Sequence, residues 1–183
     1  MEYDVLYKIA YRSKAVNKLV HLCCLTAILA AIATAQARAE TPEEWVTLGA
    51  RVHGAFGSFL PVGIRIGLDA LQRLDAQPRG VTVVYYSGPA APCPCPADGI
   101  ALATVASAGQ GTLQVSPEKS PDGTMGIAVI RKKDGGAGVK YTIAASWIPK
   151  LIDMNKTLDP LGRYNAVMNA PDLFRVESVL TAK

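Results

Sequence analysis

The stretch GVTVVYYSGPAAPCPCPADGIALATVA, residues 80–106, decides how the rest of the chain is read. It opens with Val81, Val83, Val84, Tyr85 and Tyr86, β-branched or aromatic side chains that suit a pleated, half-buried surface. They predict a strand over Gly80–Ser87. The next nine residues, Gly88–Pro96, contain four prolines. Each proline lacks a backbone N–H and fixes its own φ, so the stretch is excluded from a helix interior and from a central strand. It predicts a stiff loop. Asp98 then offers a cap for a helix over about Gly99–Ala106, built almost wholly from small apolar residues. A helix of that composition is expected to be buried and closely approached by its neighbours. Strand, rigid loop and buried helix in sequence point to a sheet with helices packed on it.

Reading outward towards the N-terminus, Thr41-Pro42-Glu43-Glu44 opens a helix: Thr41 caps, Pro42 suits the first helical position, and Glu44 completes a capping box. Trp45, Leu48, Val52 and Phe56 are expected on its inner face, and Gly54 and Gly57 break it. A second helix is predicted over Pro61–Leu74, with Ile64, Leu68 and Leu71 inward and Arg65, Asp69, Gln72 and Arg73 on the wetter side. Towards the C-terminus, Gly109-Gln110-Gly111 reads as a turn, and strands are predicted over Leu113–Glu118, Met125–Lys132 and Val139–Trp147. Leu158–Val167 reads as a helix, and Pro171–Val179 as a short helix or a closing strand. The expected fold class is α+β: one domain, a small mixed sheet with helices packed on one face.

The first forty residues differ from the rest. Lys8, Arg12, Lys14 and Lys18 give a basic start, Leu19–Ala35 carries no formal charge, and Ala37-Arg38-Ala39 supplies a small-x-small pattern. That order is a secretory signal, so residues 1–39 are expected to be removed after Ala39 and residues 40–183 to be periplasmic or secreted. The alternative is an uncleaved anchor, for which an apolar run of about 17 residues is short. Five of the 19 basic and two of the 15 acidic residues precede residue 40, which leaves 14 against 13 and a net charge of +1. A nearly neutral domain excludes an electrostatic nucleic-acid partner, and the one basic cluster, Arg131-Lys132-Lys133, runs into the turn Asp134-Gly135-Gly136. Membrane contact is expected only through the signal segment.

Residues that carry chemistry are few. His53 is the only histidine after residue 39, and Cys93 and Cys95 flank Pro94. A histidine at a helix end is commonly a packed or C-terminal charge. Two thiols on a proline-stiffened loop before a helix suit soft metals or redox chemistry, and a disulfide across one residue is the alternative. No Gly-x-Ser-x-Gly, phosphate-binding glycine loop or His-Glu-x-x-His occurs.

Two segments together resemble the formylmethanofuran dehydrogenase E-like family. One is His53-Gly54-Ala55-Phe56-Gly57-Ser58-Phe59-Leu60-Pro61-Val62-Gly63-Ile64-Arg65; the family pattern is His-Gly-His-x-Cys-Pro, then an apolar helix with Gly-x-Arg. The other runs from Cys95-Pro96-Ala97-Asp98-Gly99-Ile100 to Gly109-Gln110-Gly111-Thr112-Leu113; the family pattern is Cys-x-x-Asp-(Ala/Gly)-(Ile/Val)-Gln, then Thr-Gly-Cys-Thr, then Gly-x-Gly-Asn-Leu. His53, Cys95, Asp98, Gly109 and Gly111 match. The family's second histidine is Ala55 here, its first cysteine Gly57, and its Thr-Gly-Cys cysteine Ala106. The resemblance implies a metal, typically zinc or another soft metal, held by His53, Cys95 and a compensating Cys93. It further implies a ligand pocket with Asp98, Gly109 and Gly111, and a homodimer. Three ligands are fewer than the four that structural zinc usually takes. Three readings stand: a small-ligand or metal-binding module between the His53 turn and the Cys93-Pro94-Cys95 loop; a thiol enzyme with Cys95 as nucleophile and His53 as base; and a partner-binding protein with a vacated site. The family's formylmethanofuran chemistry does not carry over with the fold.

Overall fold

The computed structural model describes residues 40–179. The expected signal segment, residues 1–39, lies outside the described residues. Among the described residues, five helices and five strands follow in the order α1 (Pro42–His53), α2 (Phe59–Arg73), β1 (Val81–Ser87), α3 (Cys95–Thr104), β2 (Leu113–Val115), β3 (Thr124–Lys132), β4 (Gly138–Ala144), α4 (Trp147–Thr157), α5 (Pro160–Met168) and β5 (Arg175–Val179). The strands form one sheet in the order β2-β1-β3-β4-β5. Only β1 and β2 run parallel; the other neighbours are antiparallel. This is the expected single-domain α+β fold with a mixed sheet. Among the described residues no helix is long and apolar enough to cross a membrane.

The alternation of β1 aims Val81, Val83 and Tyr85 at the core and leaves Thr82, Val84 and Tyr86 half-buried on the other face. Met125, Ala128 and Ile130 of β3 and Val139, Tyr141 and Ile143 of β4 join them, and Phe59, Val62, Ile66 and Ala70 of α2 cover them. A second cluster behind α2 gathers Trp45, Phe56, Leu60, Ile64, Ala103 and Tyr164. Apolar burial of this kind contributes roughly 25 cal/mol per Å² and decides which helix faces turn inward.

The α1 capping box forms as read: Glu44 N–H donates to Thr41 Oγ1 at 3.3 Å and Thr41 N–H to Glu44 Oε2 at 2.7 Å. Its inner face is rotated from the expected one. Trp45 and Gly49 are buried, while Leu48 and Val52 are exposed. The cause is Gly49, whose missing side chain admits the rings and methyls of Phe56 and Leu60. The wetter side of α2 is also more engaged than its composition suggests. Arg65 Nη1 donates to the carbonyls of Val167 (2.9 Å) and Ala170 (2.6 Å) and its guanidinium lies over the Phe174 ring. Asp69 accepts from Tyr141 Oη and from Arg73 Nε, both at 2.6 Å. Burial, with the Asp69 carboxylate beside it, pushes the Tyr141 phenol far above its usual range.

Several boundaries differ from expectation. Helix α3 begins at Cys95, because prolines are tolerated in a first turn, so Asp98 lies inside that turn and does not cap it. Strand β4 ends at Ala144, and Trp147 starts α4, a helix hidden by an apolar alternation that continues through Ala145 and Trp147. Of the two readings of the closing segment, the strand is the one that forms: β5 pairs with β4. Val105 caps α3 in the left-handed region, φ 54°, a conformation costing a β-branched residue about 1–2 kcal/mol. Val105→Gly is therefore expected to raise stability by about 1 kcal/mol, read as a higher denaturant midpoint with an unchanged slope.

Candidate functional site

Two segments far apart in sequence meet at the N-terminal ends of α2 and α3. The first is the turn after α1. Gly54 ends that helix with φ 87°, its N–H donating to the Ala50 carbonyl at 2.9 Å, and this places His53 at the corner. The turn is pinned to α4 and α5. Ser58 N–H donates to Asn155 Oδ1 at 2.8 Å and Ser58 Oγ to the Leu151 carbonyl at 2.5 Å. Arg163 donates to the carbonyls of Phe56 (3.0 Å) and Asn155 (2.9 Å). The second segment is the proline loop, which delivers Cys93 and Cys95 to the start of α3.

His53 Nδ1 and Asp98 Oδ2 lie 2.7 Å apart, with the imidazole about a quarter exposed at 26%. A carboxylate only accepts, so Nδ1 carries the proton and donates. That bond fixes the ring and leaves Nε2 as its unengaged nitrogen among the described residues. His53 and both cysteines line one cavity of about 330 Å³, walled otherwise by Ala55, Gly57, Phe59, Leu60, Pro92, Ile152 and Asn155. The walls are mostly apolar. His53 and Asn155 supply its polar side chains, the Asn155 oxygen being held by Ser58.

Cys93 and Cys95 are joined as a disulfide with Cα atoms 5.3 Å apart. This alters the expected metal set. A disulfide sulfur is not a thiolate ligand, so of His53, Cys93 and Cys95 only the imidazole remains a free donor. Among the described residues no group of three or more His, Cys, Asp or Glu side chains is placed to hold a metal ion. With the disulfide closed, the donor set among the described residues does not fit zinc or another soft metal.

Of the other expected positions, Asp98 reaches the site through His53. Gly109 and Gly111 do not; they belong to the tight turn over Ala108–Gln110, past the far end of α3. Ala106, aligned with a family cysteine, lines a separate groove of about 280 Å³ with Val52, Leu102 and Val105. Ile152 and Asn155 escaped the sequence reading because the helix that carries them did. A larger depression of about 480 Å³ at the ends of β3, β4 and β5 is lined by Asp122, Thr124, Asp172 and Arg175. The candidate site is the cavity of about 330 Å³, which brings His53 together with both cysteines.

A search of curated proteins finds none that matches the chain. The family model described as FmdE, Molybdenum formylmethanofuran dehydrogenase operon, matches residues 52–170, more than half of the chain, from the end of α1 to the end of α5. The chain therefore belongs to the FmdE family.

Proposed function

We propose that this is an exported small-ligand-binding domain of the FmdE family in which the His/Cys metal site has become an organic-ligand pocket. The observation that carries the reading is the cavity of about 330 Å³ between the His53 turn and the Cys93-Pro94-Cys95 loop. Its volume is at the lower end of the roughly 300–1,000 Å³ typical of small-molecule sites, and mostly apolar walls with a few fixed polar groups are what such sites present. His53 Nδ1 donates its hydrogen bond to Asp98, which leaves Nε2 for a ligand. The Asn155 amide group offers a donor. A small apolar molecule bearing a hydroxyl or similar group matches both.

Export rests on the basic start, the Leu19–Ala35 apolar run and Ala37-Arg38-Ala39. The homodimer implied by the resemblance would use the open sheet face, where Val84 pairs with Val129 and Tyr86 with Ile127.

A fragment screen by ligand-detected NMR, with aromatic and aliphatic alcohols, tests the pocket. Hits are expected to be displaced by Gly57→Leu, which fills the cavity, and to lose about tenfold in affinity in His53→Ala, as a lost hydrogen bond in a sheltered site predicts. Hits indifferent to both substitutions would place binding elsewhere and refute the reading.

A further inference from the structure

The Cys93–Cys95 disulfide lies half-buried on the wall of the cavity that His53 shares. We propose that it is an exchange site for small thiols entering that cavity, with His53 as the base and Asp98 as the residue that positions it. The substrate class, a thiol on a small apolar body, rests on the pocket reading above.

Two placements support this. Cys95 is the first residue of the ten-residue helix α3, and no side chain caps that helix. The helix dipole therefore favours a thiolate at Cys95. A sulfur that is stabilised as a thiolate is the better leaving group, so attack falls on Cys93. His53 Nε2 is the ring nitrogen not engaged by Asp98, and His53 lines the same cavity as both cysteines.

The step balances as follows. A thiol gives its proton to His53 Nε2 and its sulfur attacks Cys93 Sγ. The Cys93–Cys95 bond breaks, its electron pair leaves on Cys95 Sγ, and the proton passes from His53 to that thiolate. A second thiol attacks the substrate sulfur of the mixed disulfide, and Cys93 departs as a thiol. Two thiols are oxidised to one disulfide, and Cys93–Cys95 takes the two electrons. A disulfide substrate runs the same steps in reverse and restores the bond.

The test follows reduction of Cys93 and Cys95 in the full chain by 2-mercaptoethanol. Alkylation and peptide mass spectrometry read these two apart from Cys23 and Cys24. An oxidised peptide of residues 88–98 is the reference, and a trialkylphosphine is the control reductant, since it brings no proton for a base to remove. The wild type is expected to react with the thiol at least about tenfold faster than the peptide, a modest return for a placed base. His53→Ala is expected to lose that advantage, and Asp98→Asn part of it, with the phosphine rate of each variant unaltered. Gly57→Leu, or Gly57→Ser if the larger residue disturbs folding, is expected to slow the thiol reaction by blocking the cavity.

A wild-type rate equal to the peptide's would overturn the proposal. So would a His53→Ala loss shared equally by thiol and phosphine, which marks a purely structural role. If fragments bind but exchange ignores His53, the exchange proposal fails and the pocket reading survives. If no fragment binds yet exchange is fast and depends on His53 and Gly57, the exchange site stands and the organic-ligand reading fails.

Discussion

Replacing Gly63 or Gly99 with alanine is expected to cost about 3 kcal/mol or more and to lower Tm by roughly 10 °C. The two glycines face each other where α2 crosses α3. A Cβ on Gly63 would overlap the Pro96 carbonyl oxygen and sit 2.8 Å from the Ile100 nitrogen. A Cβ on Gly99 would overlap the Leu60 carbonyl oxygen and sit 2.8 Å from the Ile64 nitrogen. These obstacles are backbone atoms inside helices, so no rotamer change removes them, and the helices must separate. Separation opens the core where Leu60, Ile64, Ile100 and Ala103 pack. It also displaces the first turns of α2 and α3, the walls of the His53 cavity, so ligand binding is expected to fall with stability. Gly109→Ala is the control. Nothing lies within 4 Å of its added methyl, and a surface change of this kind stays within about 0.5 kcal/mol. Thermal unfolding of the three variants checks the argument; equal melting temperatures for Gly63→Ala and Gly109→Ala would show that the helices do not meet this closely.

The second large effect is a gain. Ala55→His with Gly57→Cys restores the two family donors that this chain lacks on the His53 turn. Both positions line the cavity. The nearest atom to a Cβ on Gly57 is Asn155 Oδ1 at 3.5 Å, an ordinary contact, so a cysteine is accommodated there. With Cys95 freed by reduction, His53 and Cys95 together with the two introduced side chains would supply two imidazoles and two thiolates, a set that closes a tetrahedral zinc site. Under reduction the double variant is expected to retain about one equivalent of zinc through dialysis, and the wild type none. Elemental analysis reads both. A double variant that stays free of zinc after reduction and loading would show that positions 55 and 57 do not converge with His53 and Cys95.

How much of this was legible in the sequence depended on whether the signal was local. The α1 capping box is a reciprocal bond between residues three apart, and it formed as read. The β1 alternation needed only the period of a strand. The small apolar composition of α3 foretold its close approach to a neighbour, though not that Gly63 would be the partner surface. The failures came where a local pattern fits two structures. Val139–Trp147 alternates like a strand throughout, and only the packing of Leu151 against the sheet side of the core shows that its end belongs to α4. Pro96 read as loop because proline breaks helix interiors, yet the first turn of α3 accepts it, with Pro94 at the N-cap.

The site divides in the same way. His53, Cys93, Cys95 and Asp98 stood out by residue type, and they meet at the starts of α2 and α3. Gly109 and Gly111 stood out by resemblance alone and lie beyond the other end of α3. Ile152 and Asn155 carried no motif, so only the fold brings them to the cavity. The spacing of Cys93 and Cys95 permitted both a metal pair and a disulfide. Their joining leaves the His53 imidazole as the free donor of the three.

The central claim is that the family's metal site is an organic-ligand pocket here. Elemental mass spectrometry of the protein purified without chelator or added reductant tests it most directly. The account predicts no stoichiometric metal, before or after incubation with zinc. About one equivalent of bound zinc or copper, lost in His53→Ala, would contradict it.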